Sequence, residues 1–182
     1  MSDIGTSTLY STEWVIDRLR ALKPRSIIDI GCGWGRWGFL AREFLELWEH
    51  RFRKEDWAIR IDALDIHLGT WTPIHSYVYD HCYTGDVRRW APVQRYDVAV
   101  ACDVLEHMPK DDGMNVLTRF RSQGSSVLVG VPLGDAWPLR PGFDGNPHEA
   151  HVSRWYAGDF PGAIESRETM TEDGLPYGLF QL

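Results

Sequence analysis

Paired cysteines are missing from this chain. Its three cysteines, Cys32, Cys82 and Cys102, lie far apart with no Cys-x-x-Cys spacing. That argues against a zinc site and against a disulfide framework, and it suits a reducing cytoplasm. A basic cluster is missing too. The net charge is −7, so the broad phosphate-binding face of a nucleic-acid binder is not expected. No apolar run approaches the roughly 20 residues that span a bilayer. The polar segment from Met1 to Tyr10 carries no signal-peptide pattern. No repeat or low-complexity linker divides the chain, so residues 1–182 read as one domain, with 43% hydrophobic residues to build a core. Tryptophan is plentiful, with nine copies. Core packing and an aromatic-lined acceptor pocket are both open readings of that excess.

Short apolar runs alternate with helical patterns. Trp14, Val15, Leu19 and Leu22 predict a helix over 12–22, with Ser11 or Thr12 as cap and Pro24 as stop. Strands are predicted at 26–30, within 57–66, at 81–84, at 96–101 and at 126–131. Phe39, Leu40, Phe44, Leu47 and Trp48 predict a helix from Arg36 to about Phe52. Residues 67–79, with Gly69 and Pro73, read as a loop holding at most a short helix. A helix over 110–122 should turn Met114, Leu117 and Phe120 inward. Buried strands separated by helices imply a parallel sheet covered on both faces. Beyond it, 133–148 reads as a long loop and 151–160 as a short helix. Strands at 163–168 and 176–181 flank the turn Thr171-Glu172-Asp173-Gly174 and should be antiparallel. The expected fold is a three-layer, Rossmann-like α/β domain, its seven-stranded sheet mostly parallel with an antiparallel C-terminal hairpin strand.

The stretch "SIIDIGCGWGRWGFLA" carries two overlapping fingerprints. Gly33, Gly35 and Gly38 form G-x-G-x-x-G, the dinucleotide signature. Asp29, Gly31, Gly33 and Gly35 form D-x-G-x-G-x-G. If the loop starts at Gly33, Gly31 has no role. If it starts at Gly31, the apolar run ends at Asp29, three alternate glycines make the turn, and Gly38 falls in the helix, allowing close packing on the sheet. The second register accounts for every residue. Glycine lets backbone approach a ligand, and the helix start offers free N–H groups to it. A carboxylate at Asp29 suits a ligand bearing an ammonium and a sulfonium better than a pyrophosphate.

With "IDIGCGWGRWG", "ALDIH", "YTGDVRRW", "YDVAVACDVLEHM" and "VLVGVPLG", the chain resembles the class I S-adenosylmethionine-dependent methyltransferases over nearly its whole length. "DVLEHM" is similar to the small-molecule branch, and "GNPHEAHVSRW" resembles a bacterial subgroup of it. The resemblance implies S-adenosylmethionine as cofactor and a small-molecule acceptor methylated on oxygen or nitrogen, such as a sugar or secondary metabolite. It implies that Gly31, Cys32, Gly33 and Gly35 cradle the methionine part with Asp29 beneath. Asp65, next to Ile66, would accept the ribose hydroxyls, with Asp62 as a nearby competitor. Asp86, flanked by Gly85 and Val87, would meet the adenine, and Asp103 with Val104 would face the amino group or the acceptor. The short segment between Asp65 and His81 departs from the family pattern, which weakens the adenine-side assignments.

Methyl transfer to a hydroxyl usually needs a base, and histidine is the natural one near neutral pH. His107, His148 and His151 stand at the expected strand ends. His107 could instead organise its loop, and His148 and His151 could be structural. Trp155 and Tyr156 read as either pocket wall or core. Asp103, His107, His148, Glu149 and His151 could meet around a metal, but metal-dependent catechol-type relatives carry an Asp after the fourth strand and an Asp-Asn pair after the fifth; this chain has Val131-Pro132 at the second place, so no catalytic metal is expected. Two other functions compete. One is a non-catalytic cofactor-binding module or partner subunit, favoured if Trp137 or Trp155 fills the pocket. The other is an NAD-dependent oxidoreductase, opposed by the loop register. The oligomeric state is open, a homodimer included.

Overall fold

The computed structural model describes residues 8–142 and 146–182; the first residues of the polar N-terminal segment and three residues of the loop after the fifth strand lie outside them. The apolar runs become seven strands of one sheet: β1 (Ser26–Ile30), β2 (Arg60–Asp65), β3 (His81–Thr84), β4 (Val98–Cys102), β5 (Ser126–Pro132), β6 (Glu165–Met170) and β7 (Pro176–Gln181). Their order is β3-β2-β1-β4-β5-β7-β6. β1 to β5 pair in parallel, and β7 runs antiparallel to both its neighbours. The fold is the one expected from the sequence.

Alternation along the strands separates two cores. Ile27, Ile61, Val98 and Val100 face α1 (Thr12–Leu22), α2 (Arg36–Leu45) and the end of α3 (Pro73–Val78). Ile28, Leu64, Ala99, Val127 and Val129 face α4 (Lys110–Ser122) and the aromatic side chains that follow β5. At about 25 cal/mol per Å² of apolar area removed from water, burial of these two layers is the main favourable contribution to folding.

Three helical expectations need correction. First, α2 stops at Leu45 rather than near Phe52, and a 3-10 turn follows at Leu47–Glu49. Glu46 ends it: its carboxylate is fully buried and accepts N–H groups of Ala58 and Ile59 at 3.0 and 2.8 Å. The inward face of α2 is Trp37, Gly38, Ala41, Arg42 and Leu45, while Phe39, Leu47 and Trp48 are exposed. Second, α4 buries Gly113, Val116, Leu117 and Phe120 and leaves Met114 partly exposed. A Cβ on Gly113 would lie 2.7 Å from the Trp155 ring, so the helix faces that indole with its smallest residue. Third, residues 151–160 form no α-helix. A β-bridge joins Leu133 to Trp155 and another joins Arg140 to His151, with one 3-10 turn at Ala157–Asp159.

In a parallel sheet all strands deliver their C-terminal ends to one edge. β1 and β4 are neighbours whose following helices pack on opposite faces, so a crevice opens between them at that edge.

Candidate functional site

The glycine loop occupies the β1–α2 turn. Gly31, Gly33 and Gly35 have φ of 66°, 50° and 85°, in the left-handed region that favours glycine. Gly35 is the N-cap of α2, and Gly38 lies inside the helix. The loop therefore uses the register that begins at Gly31. Gly38 is required for a different contact from the one expected: a Cβ there would lie 2.3 Å from the Tyr79 ring, so the close approach is to Tyr79 rather than to the sheet.

Hydrogen bonds from three directions hold the loop. The Gly31 N–H donates to the Leu64 carbonyl at 2.8 Å. The Gly33 N–H donates to Asp65 Oδ2 at 2.9 Å. The Gly33 carbonyl accepts from His75 Nε2 at 2.9 Å, and His75 Nδ1 in turn accepts from the Thr72 N–H at 3.1 Å, which defines its tautomer. Asp29 sits behind the loop and does not reach the cavity described below, which corrects its assignment as a direct ligand. It is fully buried, Tyr79 Oη donates to its Oδ2 at 2.5 Å, and its Oδ1 has no hydrogen-bond partner among the described residues.

Burial, with a smaller contribution from the charge of Asp65, raises the Asp29 pKa to about 7 against the opposing Tyr79 hydrogen bond. The unfolded chain releases this proton near the ordinary value of 3.8. Between the two values the folded state binds the extra proton, so stability falls as pH rises through that window. Asp29→Asn should flatten this slope: between pH 5 and 8 its melting temperature is expected to drop less than that of the unmodified protein. Equal drops would show that Asp29 ionises at its ordinary value.

A cavity of about 500 Å³ lies over the C-terminal ends of the strands. Its walls include Gly31, Cys32 and Gly33 from the loop, Asp65 and Ile66 at the end of β2, Gly85, Asp86 and Val87 after β3, and Asp103 and Val104 after β4. Gly35 lies outside this lining and serves as the helix cap. Asp65 Oδ1 accepts the His67 N–H at 2.7 Å, so each of its oxygens already holds one backbone donor. Asp62, the competitor, is buried on β2 and occupied by Arg60 and the Tyr96 hydroxyl. Asp86 is gripped by Arg88, whose hydrogen bonds lower its pKa. Asp103 takes a positive φ of 55°, a strained conformation for a non-glycine residue, and its Oδ2 accepts the Thr8 N–H at 3.3 Å.

The three candidate histidines divide. His107 and His151 meet at the far end of the cavity, with ring centroids 5.0 Å apart in an edge-to-face arrangement. His107 Nδ1 donates to the Ala150 carbonyl at 3.1 Å, leaving the Nε2 lone pair free of that bond, and burial lowers its pKa. His151 Nε2 accepts from Arg140 at 3.2 Å. Glu106, fully buried beside them, has its pKa pushed well up by burial and by Asp103. His148 stays exposed at the rim. The corner forms because the Val152 and Ser153 N–H groups both bond the Glu106 carbonyl, at 2.8 and 3.2 Å, and because Trp155 is sunk in the core.

No protein-family model matches the chain. A curated relative, trans-aconitate 2-methyltransferase from Mycolicibacterium gilvum (strain PYR-GCK), is 30% identical over 121 residues, which span 65% of this chain and 42% of that protein. The chain thus matches less than half the length of that relative. The 1,6-didemethyltoxoflavin-N1-methyltransferase of Burkholderia thailandensis superposes with a TM-score of 0.65 at 17% identity, covering 94% of this chain and 76% of that one. An S-adenosylmethionine-dependent methyltransferase from Clostridium acetobutylicum ATCC 824 gives 0.65 at 10% identity, covering 93% and 89%. The chain has the fold of the class I S-adenosylmethionine-dependent methyltransferases.

In this methyltransferase fold the indoles do not fill the cavity. Trp155 is wholly buried in the core against Phe160, and Tyr156 is 43% exposed with its hydroxyl donating to Asp135. Trp137 forms a wall, its Nε1 donating to the Pro176 carbonyl at 2.6 Å. Sequence reasoning missed several lining residues: Thr8 to Tyr10, Arg36, Arg88, Arg140 and Tyr177. It also missed His75 as the support of Gly33. Tyr177 stands on the antiparallel β7 and arrives beside Asp103 through sheet order alone, a placement with no local signal. Among the described residues no helix is long and apolar enough to cross a membrane.

Proposed function

We propose that the chain binds S-adenosylmethionine in this cavity and transfers its methyl group to an oxygen or nitrogen of a small-molecule acceptor. One observation carries the reading: three left-handed glycines after β1 are tied through Gly33 to the Asp65 carboxylate at the end of β2, on the wall of a cavity at the sheet's switch point. A carboxylate is acceptor-only with about four lone-pair sites. After its two backbone donors, Asp65 retains capacity for the ribose hydroxyls. Asp103 suits the ammonium, and Asp86 with Val87 the adenine. The acidic walls favour a cationic ligand over a pyrophosphate, which also speaks against NAD. The volume matches ordinary small-ligand sites of roughly 300–1,000 Å³.

Bound there, the cofactor supplies an electrophilic methyl group on a sulfonium. The protein's part is to align the acceptor, exclude water and handle the acceptor's proton. We assign that last task to the corner of Glu106, His107 and His151, and a rim contact to His148. The open cavity favours an enzyme over a binding module. The methyltransferases from M. gilvum and B. thailandensis, the latter crystallised with S-adenosylhomocysteine and its acceptor, support the reading. The three free thiols favour a reducing compartment such as the cytoplasm.

Calorimetry tests it. S-adenosylhomocysteine should bind and NAD should not. Asp65→Ala should weaken binding about 10- to 100-fold, the value of one or two charge-assisted hydrogen bonds. NAD binding in place of S-adenosylhomocysteine would sink the proposal, and an unchanged affinity in Asp65→Ala would move the ribose ligand elsewhere. A radiolabelled methyl-transfer screen over hydroxyl, carboxyl and amine acceptors then identifies the substrate class.

A further inference from the structure

We infer that Glu106, His107 and His151 hold a divalent transition-metal ion at the acceptor end of the cavity. One ligand atom from each side chain lies within 4.8 Å of the other two. An ion with bonds of about 2.0–2.2 Å needs donors roughly 3–3.5 Å apart, a closure that small side-chain rotations supply.

Three observations separate this corner from a chance cluster. Glu106 is only 2% exposed, lines the cavity, and its Oε2 has no hydrogen-bond partner among the described residues. Such an oxygen is costly to bury unless a cation or donor meets it. His107 is oriented as metal-bound imidazoles commonly are: its Nδ1–H donates to a backbone carbonyl, Ala150 O, and the lone pair is left on Nε2. Finally, the segment that brings His151 is fixed in place, by the two N–H groups on the Glu106 carbonyl and by the Arg140–His151 bridge.

Two imidazoles and one carboxylate suit ions such as Mn²⁺, Fe²⁺, Co²⁺ or Zn²⁺ better than Ca²⁺ or Mg²⁺, which prefer oxygen ligands. Three protein ligands leave positions open, as catalytic sites do. The ion competes with Arg140, whose Nη2 now donates to His151 Nε2. The sequence spoke against a metal because Val131-Pro132 stands where metal-dependent relatives carry an Asp-Asn pair; the ligands here come instead from the turn after β4 and from His151, far along the chain, and they include Glu106 rather than Asp103, His148 or Glu149.

The chemical consequence rests on the methyl-transfer reading. With the ion bound, the corner acts on the acceptor's proton through the metal rather than as a free base: a hydroxyl coordinated at an open position becomes more acidic, releases its proton to water, and presents an oxygen lone pair to the methyl group. The acceptor class is then an oxygen nucleophile, favoured where a second oxygen next to it completes a chelate.

Co²⁺ reports the site without turnover. Full-length protein stripped with a chelator and titrated with Co²⁺ should develop visible d–d absorption saturating at one equivalent. Glu106→Gln and His151→Ala should each weaken Co²⁺ binding at least about 10-fold, with S-adenosylhomocysteine affinity held within about 3-fold as proof of a folded cofactor site. No saturable binding at 100 μM Co²⁺ or Zn²⁺ by the unmodified protein would overturn the inference. So would binding that is undiminished in both variants. Co²⁺ binding without S-adenosylhomocysteine binding would leave the metal site standing and remove the methyltransferase reading instead.

Discussion

Gly31→Val is expected to weaken S-adenosylhomocysteine binding on the order of 100-fold and to lower the melting temperature. Two penalties combine at this position. A φ of 66° is natural for glycine, but for a β-branched residue it lies in a forbidden region, at roughly 1–2 kcal/mol for the left-handed conformation alone. The new Cβ would also sit 2.6 Å from Val104 Cγ2. Val104 is anchored in the cavity wall, so overpacking adds about 1–3 kcal/mol. The loop relieves both by moving, and it cannot move without breaking the Gly31–Leu64 and Gly33–Asp65 hydrogen bonds. Gly162→Ala is the control, because Gly162 has a φ of 79° but nothing within 4 Å of a Cβ. It should reduce stability by about 1 kcal/mol and leave affinity unchanged. Full affinity in Gly31→Val, measured by calorimetry on folded protein, would mean the loop does not contact the cofactor.

Arg42→Met is expected to destabilise the protein by about 3–5 kcal/mol. Arg42 is buried on α2 at 3% exposure and spends every face of its guanidinium. Its Nε donates to the Val78 carbonyl at 2.8 Å, Nη1 to the Ile59 carbonyl at 2.5 Å and to Glu46 at 3.3 Å, and Nη2 to Asp80 at 2.9 Å. The guanidinium carbon lies 4.3 Å from the Trp57 ring centroid. Methionine fills the volume but leaves two carbonyls without donors. It also leaves the fully buried Glu46 with Arg51 as its one remaining side-chain cation among the described contacts. Urea denaturation of Arg42→Met, Glu46→Leu and the double variant checks it. The double variant should lose at least 1 kcal/mol less than the sum of the singles, because both remove the same unit. Strict additivity would show that the pair does not act together.

These two residues mark where sequence reasoning succeeds and fails. Gly31 was legible because a backbone conformation reserved for glycine leaves glycine in the sequence. Three alternate glycines after a short apolar run define the loop register without help from any neighbour, and the left-handed φ values of Gly31, Gly33 and Gly35 agree. The β1 bounds, the α1 and α4 bounds and the hairpin before the C-terminus were legible for a similar reason. Caps, proline and hydrophobic period act within a few residues. Arg42 was not legible. In a helical pattern arginine reads as the solvent face, and only the meeting with Glu46, Asp80 and the Val78 and Ile59 carbonyls makes its burial favourable.

The same division runs through the cavity. Asp65 ends its strand, and Asp86 and Asp103 come within two residues of the ends of theirs, so a parallel sheet delivers all three to one edge whatever the details of packing. His148 and His151 are three residues apart and read alike, yet one is exposed and the other meets His107. The difference is set by Trp155, which anchors in a space left by Gly113 and draws His151 inward with it. By itself the sequence determined the sheet, the glycine register and the strand-end acids, because each follows from local backbone preference or from strand periodicity. Only the tertiary structure decided that Asp29 supports rather than lines the site, that Arg42 and Glu46 are internal, and that Glu106, His107 and His151 share one corner. Those depend on contacts between segments distant in the chain, whose energies no local pattern encodes.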